Sequence, residues 1–100
     1  MMASRRQFPS LSILCAFEAA ARTQSITAAG RELSLTQSAV SRQVLALETQ
    51  LGVTLFARQR QAIKLTPEGR AYADEVRQIL AALQNATAKV KDAAARSSSY

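Results

Sequence analysis

The segment from residue 25 to residue 51 constrains the fold most, because its pattern predicts two short helices joined by a tight turn. In the second helix, apolar residues recur at spacings of four, three and four, at Val40, Val44, Leu47 and Leu51. This spacing forms one continuous stripe that has to be buried against other elements. Thr36 is a typical N-cap for this helix and Gly52 a typical C-cap. The segment is therefore expected to pack as a helix-turn-helix.

The opposite face of the second helix has a different chemistry. It carries Ser38, Ser41, Arg42 and Thr49, with no acidic residue among them. Such a face suits a negatively charged groove that offers hydrogen-bond partners. An ordinary αα-hairpin in a helical bundle is the alternative, and the short turn and the acid-free face count against it.

The charge balance favours a polyanionic partner. Thirteen Lys and Arg residues against seven Asp and Glu residues give a net charge of +6, which is expected for nucleic-acid binding without being diagnostic alone. With 100 residues, 48% of them hydrophobic, the chain can form one small domain with its own core. No apolar run approaches the roughly 20 residues of a membrane span. We therefore expect a cytoplasmic protein without a membrane partner.

The residue types that support catalysis are scarce. The chain has no His and a single Cys, Cys15, and it contains neither a Gly-rich phosphate loop nor an acid pair set among apolar residues. We expect neither an enzyme nor a binder of metals or other cofactors. Two alternatives to DNA binding stay open: a helical module whose basic face meets an acidic protein, and an RNA-binding winged helix. The lack of aromatic residues available for base stacking argues against RNA.

The remaining N-terminal part predicts a helix before the pair and a hairpin after it. Ser10 is expected to cap a first helix that runs to about Arg22 and packs behind the pair. After Gly52 the pattern changes to strand-like alternation at Ile63-Lys64-Leu65, with a basic loop before it. The predicted fold is mainly α. It is a three-helix winged helix-turn-helix over residues 9–66, with the helix-turn-helix at about 26–45 and a two-stranded β wing at about 55–66.

A long helix is expected over residues 67–92, because Thr66-Pro67-Glu68 is a strong helix start. Its apolar residues follow a heptad pattern at Tyr72, Val76, Ile79, Leu83, Ala86 and Val90. A seam sustained over almost three heptads predicts a dimerisation arm. The alternative is that the helix folds back on its own domain, and part of the seam near Tyr72 can do so. Residues 1–8 and 93–100 are expected to be flexible ends.

Several motifs occur together between Leu11 and about Leu83. They include Phe17-Glu-Ala-Ala-Ala21, Ser25-Ile-Thr-Ala-Ala29, Thr36-Gln-Ser-Ala-Val-Ser-Arg-Gln-Val44, Leu47-Glu48, Leu51-Gly52, Leu55-Phe56 and Leu65-Thr-Pro-Glu-Gly69. In this combination the chain resembles the N-terminal winged helix-turn-helix domain and linker helix of LysR-type bacterial transcriptional regulators. Complete members of that family continue into an effector-sensing domain, to which nothing in this sequence corresponds, so we expect that domain to be absent.

The resemblance implies sequence-specific binding to double-stranded DNA, with the second helix of the pair in the major groove. The family's base and phosphate contacts fall on Gln37, Ser38, Ser41 and Arg42, and the cap residues Thr27 and Thr36 lie near phosphates. Leu45 stands where the family usually has a basic or polar residue. It can pack on a thymine methyl group or simply remain exposed.

In the wing, an arginine of the family usually enters the minor groove. The aligned residue here is Gln61, with Arg60 one position before it. The residues themselves indicate a phosphate-facing patch, with a solvated hairpin tip as the alternative. The patch comprises Arg58, Arg60, Lys64 and Arg70, opposed by the single acid Glu68. A homodimer through the long helix is expected to bind an interrupted inverted repeat, because two-fold pairing presents two recognition helices to two half-sites. The full-length protein is expected to be a dimer or a tetramer. A small-molecule effector would act only through the effector-sensing domain.

Overall fold

The computed structural model describes residues 8–59 and 62–97. The elements follow in the order α1 (Leu11–Thr23), α2 (Ile26–Leu33), α3 (Gln37–Leu51), β1 (Phe56–Gln59), β2 (Ala62–Leu65) and α4 (Pro67–Ser97). The mainly α, winged helix-turn-helix fold with a two-stranded wing and a long final helix is therefore confirmed.

Short polar side chains begin the first three helices. The hydroxyl oxygens of Ser10, Ser25 and Thr36 each accept a hydrogen bond from the backbone N–H three residues later, at 3.0–3.2 Å. These bonds satisfy N–H groups that have no partner within the helix. The expectation that Thr27 caps α2 is wrong. The helix already begins at Ile26 with Ser25 as its cap, so Thr27 lies exposed in the first turn.

The turn between α2 and α3 is tight. Ser34 adopts the left-handed conformation with φ 58°, and the Leu35 N–H donates to the Gly30 carbonyl at 2.8 Å. A Cβ atom on Gly30 would lie 2.7 Å from the Leu35 carbonyl oxygen. Glycine at this position therefore lets the turn fold closely onto α2.

The core is centred on Phe17, where α1, the wing and α4 meet. Its ring centroid lies 5.6 Å from that of Phe56 on β1 and 5.5 Å from that of Tyr72 on α4. Tilted aromatic pairs at such distances stabilise a core beyond the area they bury. The stripe predicted along α3 packs into the same core, with fully buried side chains at Val40, Val44 and Leu47.

The wing is a regular antiparallel hairpin as far as it is described. Its register runs from Phe56 opposite Leu65 to Gln59 opposite Ala62. Phe56 and Ile63 are buried, whereas the cations Arg58 and Lys64 are exposed. The hairpin is therefore anchored by apolar side chains and presents its described basic residues to solvent. Arg60 and Gln61 lie outside the described residues.

Glu48 joins the wing to α3. One carboxylate oxygen, Oε2, accepts hydrogen bonds from the backbone N–H groups of Leu55, at 2.7 Å, and Phe56, at 3.1 Å. The backbone carbonyl of Glu48 accepts from the N–H groups of Gly52, at 2.8 Å, and Val53, at 3.2 Å, which ends the helix. Hydrogen bonds to a charged acceptor are stronger than those between neutral groups. One residue thus holds both the end of α3 and the entry to β1.

The start of α4 is attached to the same segment. The Thr66 hydroxyl donates to the Thr54 carbonyl at 2.7 Å and accepts from the Gly69 N–H at 2.9 Å. The Thr66 N–H donates to the Leu55 carbonyl at 3.0 Å. A Cβ atom on Gly69 would lie only 2.0 Å from the Leu55 carbonyl oxygen. These contacts fix the direction of α4 relative to β1.

The long helix extends beyond its predicted end at residue 92. It continues to Ser97 through Ala93, Ala94 and Ala95, and alanine is the strongest helix former. The helix therefore ends later in the chain than the predicted boundary. All residues from 81 to 97 are exposed. In the ranges 8–59 and 62–97, no helix is both long and apolar enough to cross a membrane.

Two residues of the predicted dimer seam belong to the domain itself. Val76 is buried in the core, and Tyr72 is half-buried against Phe17, where desolvation raises the pKa of its phenol. Val76, which was predicted to lie in the dimer seam, therefore packs within its own domain. An α-helix repeats about every 3.6 residues, so heptad positions rotate by about 20° in each heptad. The later seam positions Ile79, Leu83, Ala86 and Val90 are exposed.

We expect Gly69→Ala to destabilise the protein, because the added Cβ would overlap the Leu55 carbonyl. Such overpacking costs about 1–3 kcal/mol in the free energy of unfolding, measurable by thermal denaturation followed by circular dichroism. Gly30→Ala, with its milder approach of 2.7 Å to the Leu35 carbonyl, should cost less. Helix propensity alone predicts the opposite effect, a gain of about 1 kcal/mol in the free energy of unfolding when Ala replaces Gly. A raised melting temperature for Gly69→Ala would therefore contradict the close packing of α4 against the Leu55 carbonyl.

Candidate nucleic-acid interface

The outer face of α3 combines a cation, hydroxyl groups and an exposed apolar side chain. At about 100° per residue, Ser38 and Leu45 lie along the middle of this face, and Leu45 is 58% exposed. Arg42 is the one cation among the α3 residues, all of which are described, and it is exposed. Glu48 is the one acid of the helix, and its carboxylate binds wing N–H groups. The face thus offers hydrogen-bonding groups and a positive charge.

A cleft separates the N-terminal ends of α2 and α3 from the wing. Its walls bring together four of the predicted DNA-binding residues, from three elements of the chain: Thr27, Gln37, Ser41 and Arg58. Ile63, the strand partner of Arg58, also lines the cleft. Hydroxyl, amide and guanidinium groups all donate hydrogen bonds to phosphate oxygens. The cleft therefore has the chemistry of a site for a sugar-phosphate backbone. Ser25 and Ala62 also line it, and the sequence had not singled them out for this surface.

Arg42 lies on the other edge of α3, away from the wing. It lines a shallow depression with Ser10 and Ile13 of α1. Next to it, the Gln43 amide donates to the Ser12 hydroxyl at 3.3 Å, which ties this edge of α3 to α1. The predicted residues are thus divided between two edges of the outer face of α3.

The other predicted residues are more peripheral. Thr36 is exposed at the start of α3, where its hydroxyl oxygen already accepts the Ala39 N–H. Lys64 is exposed on β2, opposite Ala57 of β1. Arg60 and Gln61 lie outside the described residues, so the DNA contacts assigned to them stay predictions.

Sequence reasoning missed the part played by Glu48. The sequence contains the motif Leu47-Glu48, but nothing in the helical pattern indicates that the carboxylate reaches backbone N–H groups seven and eight residues further on. Its one local signal was its position as the single acid of α3, one turn before the C-cap.

Carboxylates on the neighbouring helices are also engaged. Arg22 on α1 forms salt bridges with Glu18, at 3.0 Å, and with Glu32 on α2. Hydrogen bonds with Glu18 and then with Glu32 raise the pKa of the Arg22 guanidinium above its usual value. This network ties α1 to α2 and partly neutralises the two acids.

The family model described as bacterial regulatory helix-turn-helix protein, lysR family, matches residues 11–70. The chain belongs to the LysR family. The glycine cleavage system transcriptional activator of Escherichia coli K12 is 41% identical to this LysR-family chain over 91 residues, which are 91% of the chain and 30% of that protein. The HTH-type transcriptional regulator TrpI of Pseudomonas aeruginosa is 55% identical over 64 residues, 64% of the chain and 22% of that protein.

These relatives are transcriptional regulators rather than enzymes, and the chain spans less than a third of the length of each. Solved structures of DNA-binding domains are also similar to this chain. The DNA-binding domain of CbnR in a complex with DNA has a TM-score of 0.77 at 33% identity and covers 85% of this chain and 98% of its own. The DNA-binding domain of BenM in a complex with catB site 1 DNA has a TM-score of 0.80 at 32% identity. The match covers 85% of this chain and 94% of that chain.

Proposed function

We propose that this LysR-family chain binds double-stranded DNA sequence-specifically, with α3 in the major groove and the wing at the minor groove. The observation that carries the proposal is the outer face of α3, which is exposed, bears Arg42 and hydroxyl groups, and has its one carboxylate turned to the wing. The cleft beside this face, with Arg58 on its far wall, suits a DNA backbone. The similarity to regulator domains solved with DNA supports the same function.

The division of the site suggests separate roles for its residues. On the wing side, Thr27, Ser41 and Arg58 would hold phosphates, which fix the orientation of the protein on the duplex. On the other edge, Arg42 can donate two hydrogen bonds to guanine O6 and N7, or hold a phosphate. Gln37 can read adenine through its amide, since that group offers a donor and an acceptor together.

Residues at the middle and the margins of the site complete the proposal. Ser38 would let the backbone of α3 approach the base edges, and the exposed Leu45 suits a thymine methyl group. Thr36 and Lys64 would add phosphate contacts, and Arg60 and Gln61 remain the predicted minor-groove residues. We propose that the protein regulates transcription in the cytoplasm and is not an enzyme.

Selection of bound duplexes from a random pool, with the full chain as bait, tests this function. We expect convergence on one sequence, and a selected site bound about 10³-fold or more tightly than a scrambled duplex. The affinity should also fall steeply with salt, by about 10³–10⁵-fold between 50 and 200 mM if six to ten phosphates are contacted. A pool that does not converge would overturn the proposal in favour of a basic protein-interaction module.

Arg42→Ala should leave the fold intact and weaken binding to the selected site. Losing a base contact costs about 1–3 kcal/mol and relaxes the preference at one base pair, whereas losing a phosphate contact weakens all sequences alike. Titration of the selected duplex and its single-base variants distinguishes the two. Arg96→Ala, which removes the same charge at the far end of α4, is the matched control. An unchanged affinity for Arg42→Ala would exclude both roles.

We also propose that α4 forms a two-fold dimer. The side chains of Ile79, Leu83 and Val90 are 57%, 46% and 69% exposed, and with Ala86 they lie within an arc of about 60° on the helix. An exposed apolar stripe of this length is typical of a surface that packs on another protein. Two-fold pairing would present two α3 helices to half-sites roughly 34 Å apart.

Charge along α4 favours antiparallel pairing. A groove between the end of α3 and the start of α4 lies on the same side of α4 as the exposed stripe, and it is lined by Leu51, Val53, Leu55, Ala71 and Tyr72. Its rim carries Glu68 and Glu75, whereas the far half of α4 carries three cations, Lys89, Lys91 and Arg96, and one acid, Asp92. In an antiparallel pair, the basic half of the partner's helix would lie by the acidic groove, where opposite charges attract.

Leu83→Glu should give a monomer with unchanged helical content. In a two-fold pair the two new carboxylates would lie near the axis, unpaired and partly buried, which is strongly unfavourable. Sedimentation gives the oligomeric state, and circular dichroism the helical content. Gln84→Glu adds the same charge on another side of the helix and should leave the dimer intact. A monomeric unaltered chain, both free and on the selected duplex, would contradict the proposed dimer.

A further inference from the structure

Glu48 differs from the other paired carboxylates of the described residues. Glu18, Glu32 and Asp74 form salt bridges with arginines. The Glu48 carboxylate instead accepts two backbone N–H groups, those of Leu55 and Phe56. Its charge is therefore used to hold a segment of chain rather than another side chain.

The segment held in this way is the entry to the wing. Leu55 and Phe56 are almost completely buried, and Phe56 begins β1 opposite Leu65. Buried N–H groups need a partner, and Glu48 supplies one for both. Because Glu48 lies one turn before the end of α3, its hydrogen bonds fix the position of the start of β1 relative to that helix.

Glu48 lies on the edge of α3 that borders the cleft. At about 100° per residue, Glu48 lies on the same edge of the helix as Gln37 and Ser41, the edge that forms one wall of the cleft. Arg58, two residues after Phe56 on β1, lies on the opposite wall. The carboxylate thus joins α3, which contributes Gln37 and Ser41 to one wall of the cleft, to the start of β1, which carries Arg58 on the other.

We propose that Glu48 is a positioning residue for DNA recognition, which holds the wing at one fixed place relative to α3 so that both reach DNA together. The inference rests on the DNA binding proposed above. A wing held in place before binding loses less conformational freedom on the duplex, and preorganisation of this kind increases affinity. Without the bonds, α3 would still enter the major groove, but the wing would no longer be seated beside it.

Footprinting of the full chain on its selected duplex tests this role. Methylation of guanine N7 probes the major groove under α3, and hydroxyl-radical cleavage probes the backbone at the wing. Glu48→Gln, which removes the charge and leaves a single acceptor oxygen, is compared with the unaltered chain at equal occupancy of the duplex. We expect the protection under α3 to persist and the protection at the wing to be lost, with as large a fall in affinity as Arg58→Ala produces.

The comparison at equal occupancy distinguishes a positioning role of Glu48 from an effect on the stability of the folded protein. A variant that is only less stable contains fewer folded molecules, but each bound molecule leaves the complete footprint. Asp92→Asn likewise converts an exposed carboxylate to an amide, at a position outside the DNA-binding face and the α4 stripe, and should leave the footprint and affinity unchanged. In an Arg58→Ala background, Glu48→Gln should cause little further loss, since both changes act through the wing.

The outcomes are distinct. A complete footprint for Glu48→Gln at equal occupancy would overturn the positioning role, as would an unaltered chain that gives no protection at the wing. Additive losses in the double variant would also overturn it. If the unaltered chain selects no sequence at all, the proposed function itself fails.

Discussion

The hydrogen bonds from the Leu55 and Phe56 N–H groups to Glu48 are the interaction on which the arrangement of the elements depends. Apolar burial around Phe17 draws α1, the wing and α4 together, but burial has no preferred direction. The relative orientation of these elements comes from polar and steric contacts at one short segment, residues 54–56. Glu48 attaches it to α3, while Thr66 and the close approach of Gly69 attach it to α4.

The parts of the fold that follow from local rules could be predicted from the sequence. The buried stripe of α3 follows from helical spacing, and the caps at Ser10 and Thr36 follow from the preference of short hydroxyl side chains for helix starts. Gly52 ends α3 with φ 68°, as its freedom in the left-handed region allows. The wing was recognisable from alternation at Ile63, Lys64 and Leu65. In each case the decisive residues are close together in the chain.

The differences arise where distant parts of the chain meet. Ser25 and Thr27 are both good caps, and the one used depends on where α2 starts against the core, because Ile26 is buried there. Val76 fits the heptad pattern, but the domain packs on the side of α4 that it occupies. The bonds of Glu48 leave no periodic signal, since they connect a helix to the start of a strand that lies seven and eight residues further on. The candidate site was predicted as a set of residues, whereas its division into two edges needed the tertiary structure.

The length of α4 makes it a lever. Its 31 residues span roughly 46 Å at about 1.5 Å per residue, and hydrogen bonds at Thr66 hold its near end. A tilt of about 5° at that junction moves the far end by roughly 4 Å, close to the spacing of about 3.4 Å between successive base pairs. A small rotation at the junction is therefore magnified along α4, and in a dimer held together through the far ends it would shift each DNA-binding domain along a duplex by about one base pair.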